Sequence, residues 1–305
     1  MNEADRVFSG LIDELQDRLR PIRSQMFPSL VLLELNDNAL QGQVLRGSQP
    51  EPVTLDVPLP PLTCKQGMPL EKEPLGDLIG DLLVRDNLLD KYLIVALPPA
   101  GVQWRVVAWP FEELPEDPVD ALRQVDPDLR LPFALQEATL DLQPLPPRAG
   151  EPARMLLAAA PTALVDAWVD VFNLAGAQLE RLAPAQACQY LALLPLLAEA
   201  EDDELIAVLD PREEGCRLLA LRAGLPVFER VLPIGDEPLR LELERCLAFL
   251  QRRDPLARRL KLLLAAPFAL PPGLEDDLGT TAERIVCEPY GSLVLKGLAV
   301  REASR

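Results

Sequence analysis

From Ser29 to Leu35 the chain is almost continuously apolar, and Leu40 to Leu45 repeats the pattern. Asn36-Asp37-Asn38 between them tolerates left-handed backbone, so a strand pair is predicted. Residues 50–74 are dense in proline, and the Pro58, Pro60, Pro61 cluster argues for an exposed edge over a central strand. Helical spacing at Leu75, Ile79 and Leu82 predicts a helix within 75–89, and Tyr92 to Leu97 suits a buried parallel strand. Beyond Val102 the pattern changes. Trp104, Val106 and Ala108 alternate with Arg105, Val107 and Trp109, and a proline-rich acidic segment leads to LPFALQEATLDLQPL at 131–145. Arg154 to Ala160 is again a buried strand. A helix over 163–175 carries Leu164, Trp168 and Phe172 on one face and stops at Gly176. A strand over 178–182 and a helix over 185–198 precede the acidic linker 199–204.

The pattern then starts again. Residues 204–235 form three strands split at Ala223-Gly224. Leu239, Leu243, Leu247 and Leu250 place a helix that Pro255 ends. A buried strand at 260–265, a short helix to about Leu278, a strand at 284–287 and a last helix from Gly291 complete an α/β unit. The chain therefore divides into a first large unit (29–101 and 149–200), a small inserted α+β unit (102–148) and a second large unit (201–305). Ahead of these, Val7, Leu11, Leu15 and Leu19 lie four apart on one face of an amphipathic helix within residues 1–28, which suits packing or self-association.

The 305 residues are 49% hydrophobic with a net charge of -18. Phosphate binding needs clustered Lys and Arg, so a nucleic-acid partner is not expected. Histidine is absent, which removes Ser-His and Cys-His nucleophiles and His-ligated metals. The five cysteines are widely spaced and lack a C-x-x-C, so reduced, buried thiols are expected in place of disulfides or zinc ligands. No signal peptide is visible, and no apolar run approaches the roughly 18 residues a bilayer span requires. A cytoplasmic protein that meets a membrane only through a partner is expected.

The order of elements resembles the actin-like, duplicated ribonuclease-H-like fold. LPFALQEATLDLQPL, MLLAAAPTALVDAWVDVFNLAGAQLERLAP (155–184), FERVLPIGDE (228–237) and ERIVCEPYGSLVLKGLAV (283–300) resemble the PilM family of type IV pilus assembly, relatives of the cell-division protein FtsA. The similarity runs from about Ser29 to Val300. It implies a cytoplasmic scaffold at the bacterial inner membrane that binds the cytoplasmic tail of PilN, a single-span protein. The tail would dock between the first large unit and the insert, with Trp104, Trp109, Leu131 and Phe133 as candidate contacts.

The family's nucleotide turns are where this chain departs. Glu34 and Asn36 stand in the first turn, which in the family reads Asp-x-Gly. Arg212 follows Asp210 where glycine is expected, and Ala266-Pro267 replaces a glycine run. Side chains there block close backbone approach to phosphate, and Pro267 lacks a donor. We therefore expect a vestigial site (Glu34, Asn36, Asp210, Arg212, Ala266, Pro267), with no cofactor, no metal and no catalytic residue. Two alternatives stay open. One is a divergent ATPase that holds Mg-ATP through Glu34 and Asp210. The other is an actin-like adaptor of another secretion or division system.

Overall fold

The structure is a computed structural model that describes residues 29–46, 49–111, 118–145, 152–201, 203–212, 215–265 and 268–303. The amphipathic segment at 1–28 lies outside the described residues, as do Ala266 and Pro267.

The first half opens with an antiparallel meander, β1 (Ser29–Leu35), β2 (Ala39–Arg46) and β3 (Gln49–Pro58). Its proline-bearing third strand lies at the sheet edge, where missing N–H donors cost nothing. A two-residue ladder, β4 (Cys64–Lys65) with β5 (Met68–Pro69), leads to helix α1 (Lys72–Arg85) and to β6 (Tyr92–Leu97). Strand β6 pairs parallel with β1. The insert follows, with β7 (Gln103–Ala108), α2 (Pro118–Val125), β8 (Ala138–Pro144) and β9 (Arg154–Pro161). Helix α3 (Thr162–Leu174) and β10 (Gln178–Pro184) complete the first sheet, ordered β10-β6-β1-β2-β3.

Helix α4 (Ala185–Leu197) then leads to the second half. There β11 (Glu204–Arg212), β12 (Gly215–Arg222) and β13 (Leu225–Leu232) form another meander. Helix α5 (Asp236–Arg253), β14 (Arg259–Leu264), α6 (Leu274–Leu278), β15 (Ala282–Arg284) and α7 (Leu293–Ala303) follow. Its sheet runs β13-β12-β11-β14-β15, the same plan of three antiparallel strands and two parallel ones. The actin-like α/β architecture is therefore the one expected.

Alternation along the central strands explains the layering. Val31, Leu33 and Leu35 of β1 face outward, where Leu75, Ile79 and Leu83 of α1 and Trp168 and Phe172 of α3 cover them. Leu32 faces inward with Ile94, against Cys188 of α4 and Val294, Leu295 and Leu298 of α7. In the second half Leu205, Ala207 and Leu209 face outward to α5. Ile206 and Val208 face inward to Tyr190 and Leu193 of α4. Helices α4 and α7 are thus sandwiched between two sheets.

The unit boundaries read from the sequence need two corrections. Strand β9, assigned to the first large unit, is the middle strand of the insert's sheet, ordered β7-β9-β8 and antiparallel to both neighbours. An apolar run shows burial on two faces but not the direction of its partners. Helix α7, assigned to the second unit, contributes Val294, Leu295, Leu298 and Ala299 to the inner core of the first sheet.

Candidate functional site

Strands β1 and β11 occupy equivalent central positions, and both end at the cleft between the halves, where open α/β sheets place their ligands. Glu34 is the penultimate residue of β1 and Asp210 lies near the end of β11; they are only 2% and 5% exposed. Arg212, the last residue of β11, reaches across the cleft. Its Nη1 lies 2.7 Å from Glu34 Oε1, while Nε and Nη2 donate to Asp210 Oδ2 at 3.1 and 2.9 Å.

Both carboxylates carry a second donor, one from α4 and one from the residue just before α7. Ser292 Oγ donates to Glu34 Oε2 at 2.5 Å, and Gln189 Nε2 donates to Asp210 Oδ2 at 2.5 Å. Ser292 Oγ itself accepts the Leu295 N–H at 3.0 Å, which ties it to the first turn of α7. A buried charge is tolerable when it is paired and hydrogen-bonded in this way.

The sequence-predicted residues Glu34, Asn36, Asp210 and Arg212 do meet. Asn36 closes the β1–β2 turn by donating its backbone N–H to Ala39 O (2.9 Å) and lines a cavity of about 180 Å³ with Glu34, Asp37, Arg212 and Arg217. That volume is below the roughly 300 Å³ at the lower end of ligand pockets. Asp37 is committed as well, its carboxylate accepting the N–H groups of Gln66 and Gly67 at 2.6 and 2.8 Å. Among the described residues no group of three or more Cys, Asp or Glu side chains is placed to hold a metal ion. Both Glu34 oxygens are already engaged by Arg212 and Ser292, so the residues present do not match the coordination a magnesium–polyphosphate group requires.

The four candidate partner contacts are not gathered in one place. Half-buried Trp104 faces a cleft of about 1090 Å³ between the insert and the second half, lined by β7, β13 and the end of α5. Its indole Nε1–H donates to Glu229 Oε2 at 2.5 Å, and Glu229 Oε1 pairs with Arg217 Nε at 2.6 Å. Trp109 is only 3% exposed. It packs in the insert's own core, edge-on to Phe111 at 5.3 Å. That is a correction, because a two-layer insert of one sheet and one helix proves able to bury one indole completely. Leu131 and Phe133 are half-buried on the segment before β8 and line neither cavity. Gln189, Ser292, Arg217 and Glu229 were not singled out from the sequence. A signal for the first was present, since Gln186 and Gln189 interrupt an otherwise apolar helix, and buried polar residues carry information.

The sequence profile described as "Type IV pilus assembly protein PilM" matches residues 56–248. The chain belongs to the PilM family. Among solved structures it is similar to the chain titled "PilM-PilN type IV pilus biogenesis complex", at 23% identity and a TM-score of 0.71, covering 90% of this chain and 98% of that one. The cytoplasmic domain of EpsL, an inner-membrane component of the type II secretion system of Vibrio cholerae, matches at 12% identity and a TM-score of 0.51 (90% and 94%). A Bacteroides thetaiotaomicron protein with an actin-like ATPase fold matches at 7% identity and 0.53 (91% and 97%). These likenesses establish the actin-like fold of this PilM-family chain. No curated protein matches it in sequence. No helix among the described residues is long and apolar enough to cross a membrane.

Proposed function

We propose that this PilM-family chain is a non-catalytic, actin-like scaffold of type IV pilus assembly. It works in the cytoplasm, at the inner membrane of a bacterium, through the cytoplasmic tail of a PilN-type single-span protein. One observation carries the non-catalytic part: the Arg212 guanidinium lies between Glu34 and Asp210, where an actin-like ATPase would need a cation and polyphosphate. Family membership supports the pilus role, and the similar structure titled as a PilM–PilN complex supports the choice of partner.

Calorimetric titration with Mg-ATP is expected to give no saturable heat. Binding at micromolar Kd or tighter, or hydrolysis that disappears in Asp210→Ala, would establish the divergent ATPase instead. For the partner, a synthetic tail peptide should bind against the insert. Phe133→Ala should weaken it about tenfold, as for one moderate interface anchor. Absence of binding to the parent protein at millimolar peptide ends the partner proposal. Trp109→Ala is a poor probe because that side chain holds the insert together.

A further inference from the structure

Two contacts bridge the cleft from opposite sides. On one side Trp104 of the insert meets Glu229 of β13. On the other, Arg212 of the second half meets Glu34 of the first. We propose that Arg212 is a built-in clasp, a guanidinium tethered to one half that binds the buried carboxylate of the other and so holds the cleft closed without any cofactor.

The geometry fits a clasp better than an incidental ion pair. The guanidinium directs Nε and Nη2 toward Asp210 on the clasp's own strand and Nη1 toward Glu34 across the cleft. The pairing within β11 aims the planar group; the remaining terminal nitrogen then reaches the first sheet. Both acceptors are held in place beforehand, Glu34 by Ser292 and Asp210 by Gln189, so little side-chain freedom remains to be lost when the fork engages. The Arg212 side chain is 15% exposed and the two carboxylates are 3% and 7% exposed, so salt screens the contact weakly.

Charge supplies the direction of the effect. Two carboxylates share one guanidinium, and without it two negative groups would face each other in a poorly hydrated cleft. Their repulsion favours separation of the halves. A diffusible ligand closes such a cleft only at sufficient concentration, whereas a tethered cation is always present at high effective concentration.

The test is a distance between the two outer layers, read without nucleotide or peptide, so its outcome is separate from the functional proposal above. Asp81→Cys on α1 and Ala248→Cys on α5 place exposed labelling sites on opposite halves, while the five native thiols are buried. Against this background Arg212→Ala is expected to lengthen the mean distance between paired fluorophores and to lower Tm by about 6 to 10 °C. Millimolar guanidinium chloride should shorten the distance again, and sodium chloride at equal concentration should not. Arg212→Lys keeps the charge but loses the fork, so it should fall between. An unchanged distance in Arg212→Ala, or opening that guanidinium does not reverse, overturns the clasp. If Arg212→Ala fails to fold, Glu34→Gln serves, since it keeps shape and removes the charge across the cleft. A smaller lengthening supports the proposal there, and an unchanged distance refutes it.

Discussion

The two halves share one strand plan, but their first turns spend charge in opposite ways. In the first half Asp37 turns back on its own half, accepting two backbone N–H groups beside the β4–β5 ladder. In the second half β11 continues two residues past Asp210, and Arg212 reaches out to Glu34. Duplicated topology brings the strand ends together, and the side chains at those ends then decide whether the cleft is left open for a ligand or filled from within. The outer layers differ too. Trp168 and Phe172 fill the first, with the Trp168 Nε1–H donating to Gly67 O at 2.9 Å, whereas aliphatic side chains dominate beneath α5 in the second.

The severest way to break this comparison is at the shared layer. A Cβ on Gly297 of α7 would lie 1.8 Å from the Cys188 carbonyl oxygen of α4, a contact with backbone that no rotamer change relieves. Gly297→Ala is expected to cost more than about 3 kcal/mol and to loosen both halves together. An unchanged urea midpoint would show that α4 and α7 do not meet so closely.

Alkaline pH probes each half separately. Burial, the largest cause, pushes the thiols of Cys64 in the first half, Cys188 between the halves and Cys216 in the second up to about 12, with nearby Asp37 and Asp210 adding to Cys64 and Cys216. A group with a raised folded pKa gives stability that is complete below the unfolded value, near 9, and is lost as pH rises toward about 12. Each thiol should contribute a fall of about 1.4 kcal/mol per pH unit inside that window. Thermal melts of Cys64→Ala and Cys216→Ala should be less steeply pH-dependent than the parent. A parent-like slope in either variant removes that thiol from the account.

The mildest change sharpens the contrast between outer layers. Trp168→Phe removes the indole donor and some volume, so Gly67 O loses its partner, at about 2 kcal/mol. Hydrogen exchange should accelerate in α1, α3 and β6 but not in α5. Equal acceleration in both halves would mean that they unfold as one cooperative unit.

Much of the fold was legible because the apolar pattern records burial locally. Tyr92–Leu97 was placed to the residue, and the first strand pair, the second meander and the outer helices to within a few positions. The exceptions have separate causes. Strand β9 and helix α7 have the expected secondary structure but different neighbours, and β15 ends where its strand was expected to begin, because a short polar strand has little periodicity. At the site, Arg212 was legible only as a missing glycine. Nothing within a few residues of it announces Glu34 as its partner.

By itself the sequence determined the layered α/β class, the absence of histidine chemistry, the PilM resemblance and the loss of glycine from the nucleotide turns. All of these depend on residue type or on neighbours within a turn or two. Only the tertiary structure decided that Ser292 meets Glu34, 258 positions away, that Gln189 meets Asp210, and that Trp104 faces a cleft while Trp109 is enclosed. Such pairings follow from how two sheets close on α4 and α7, and that closure is set by the packing of the whole chain at once.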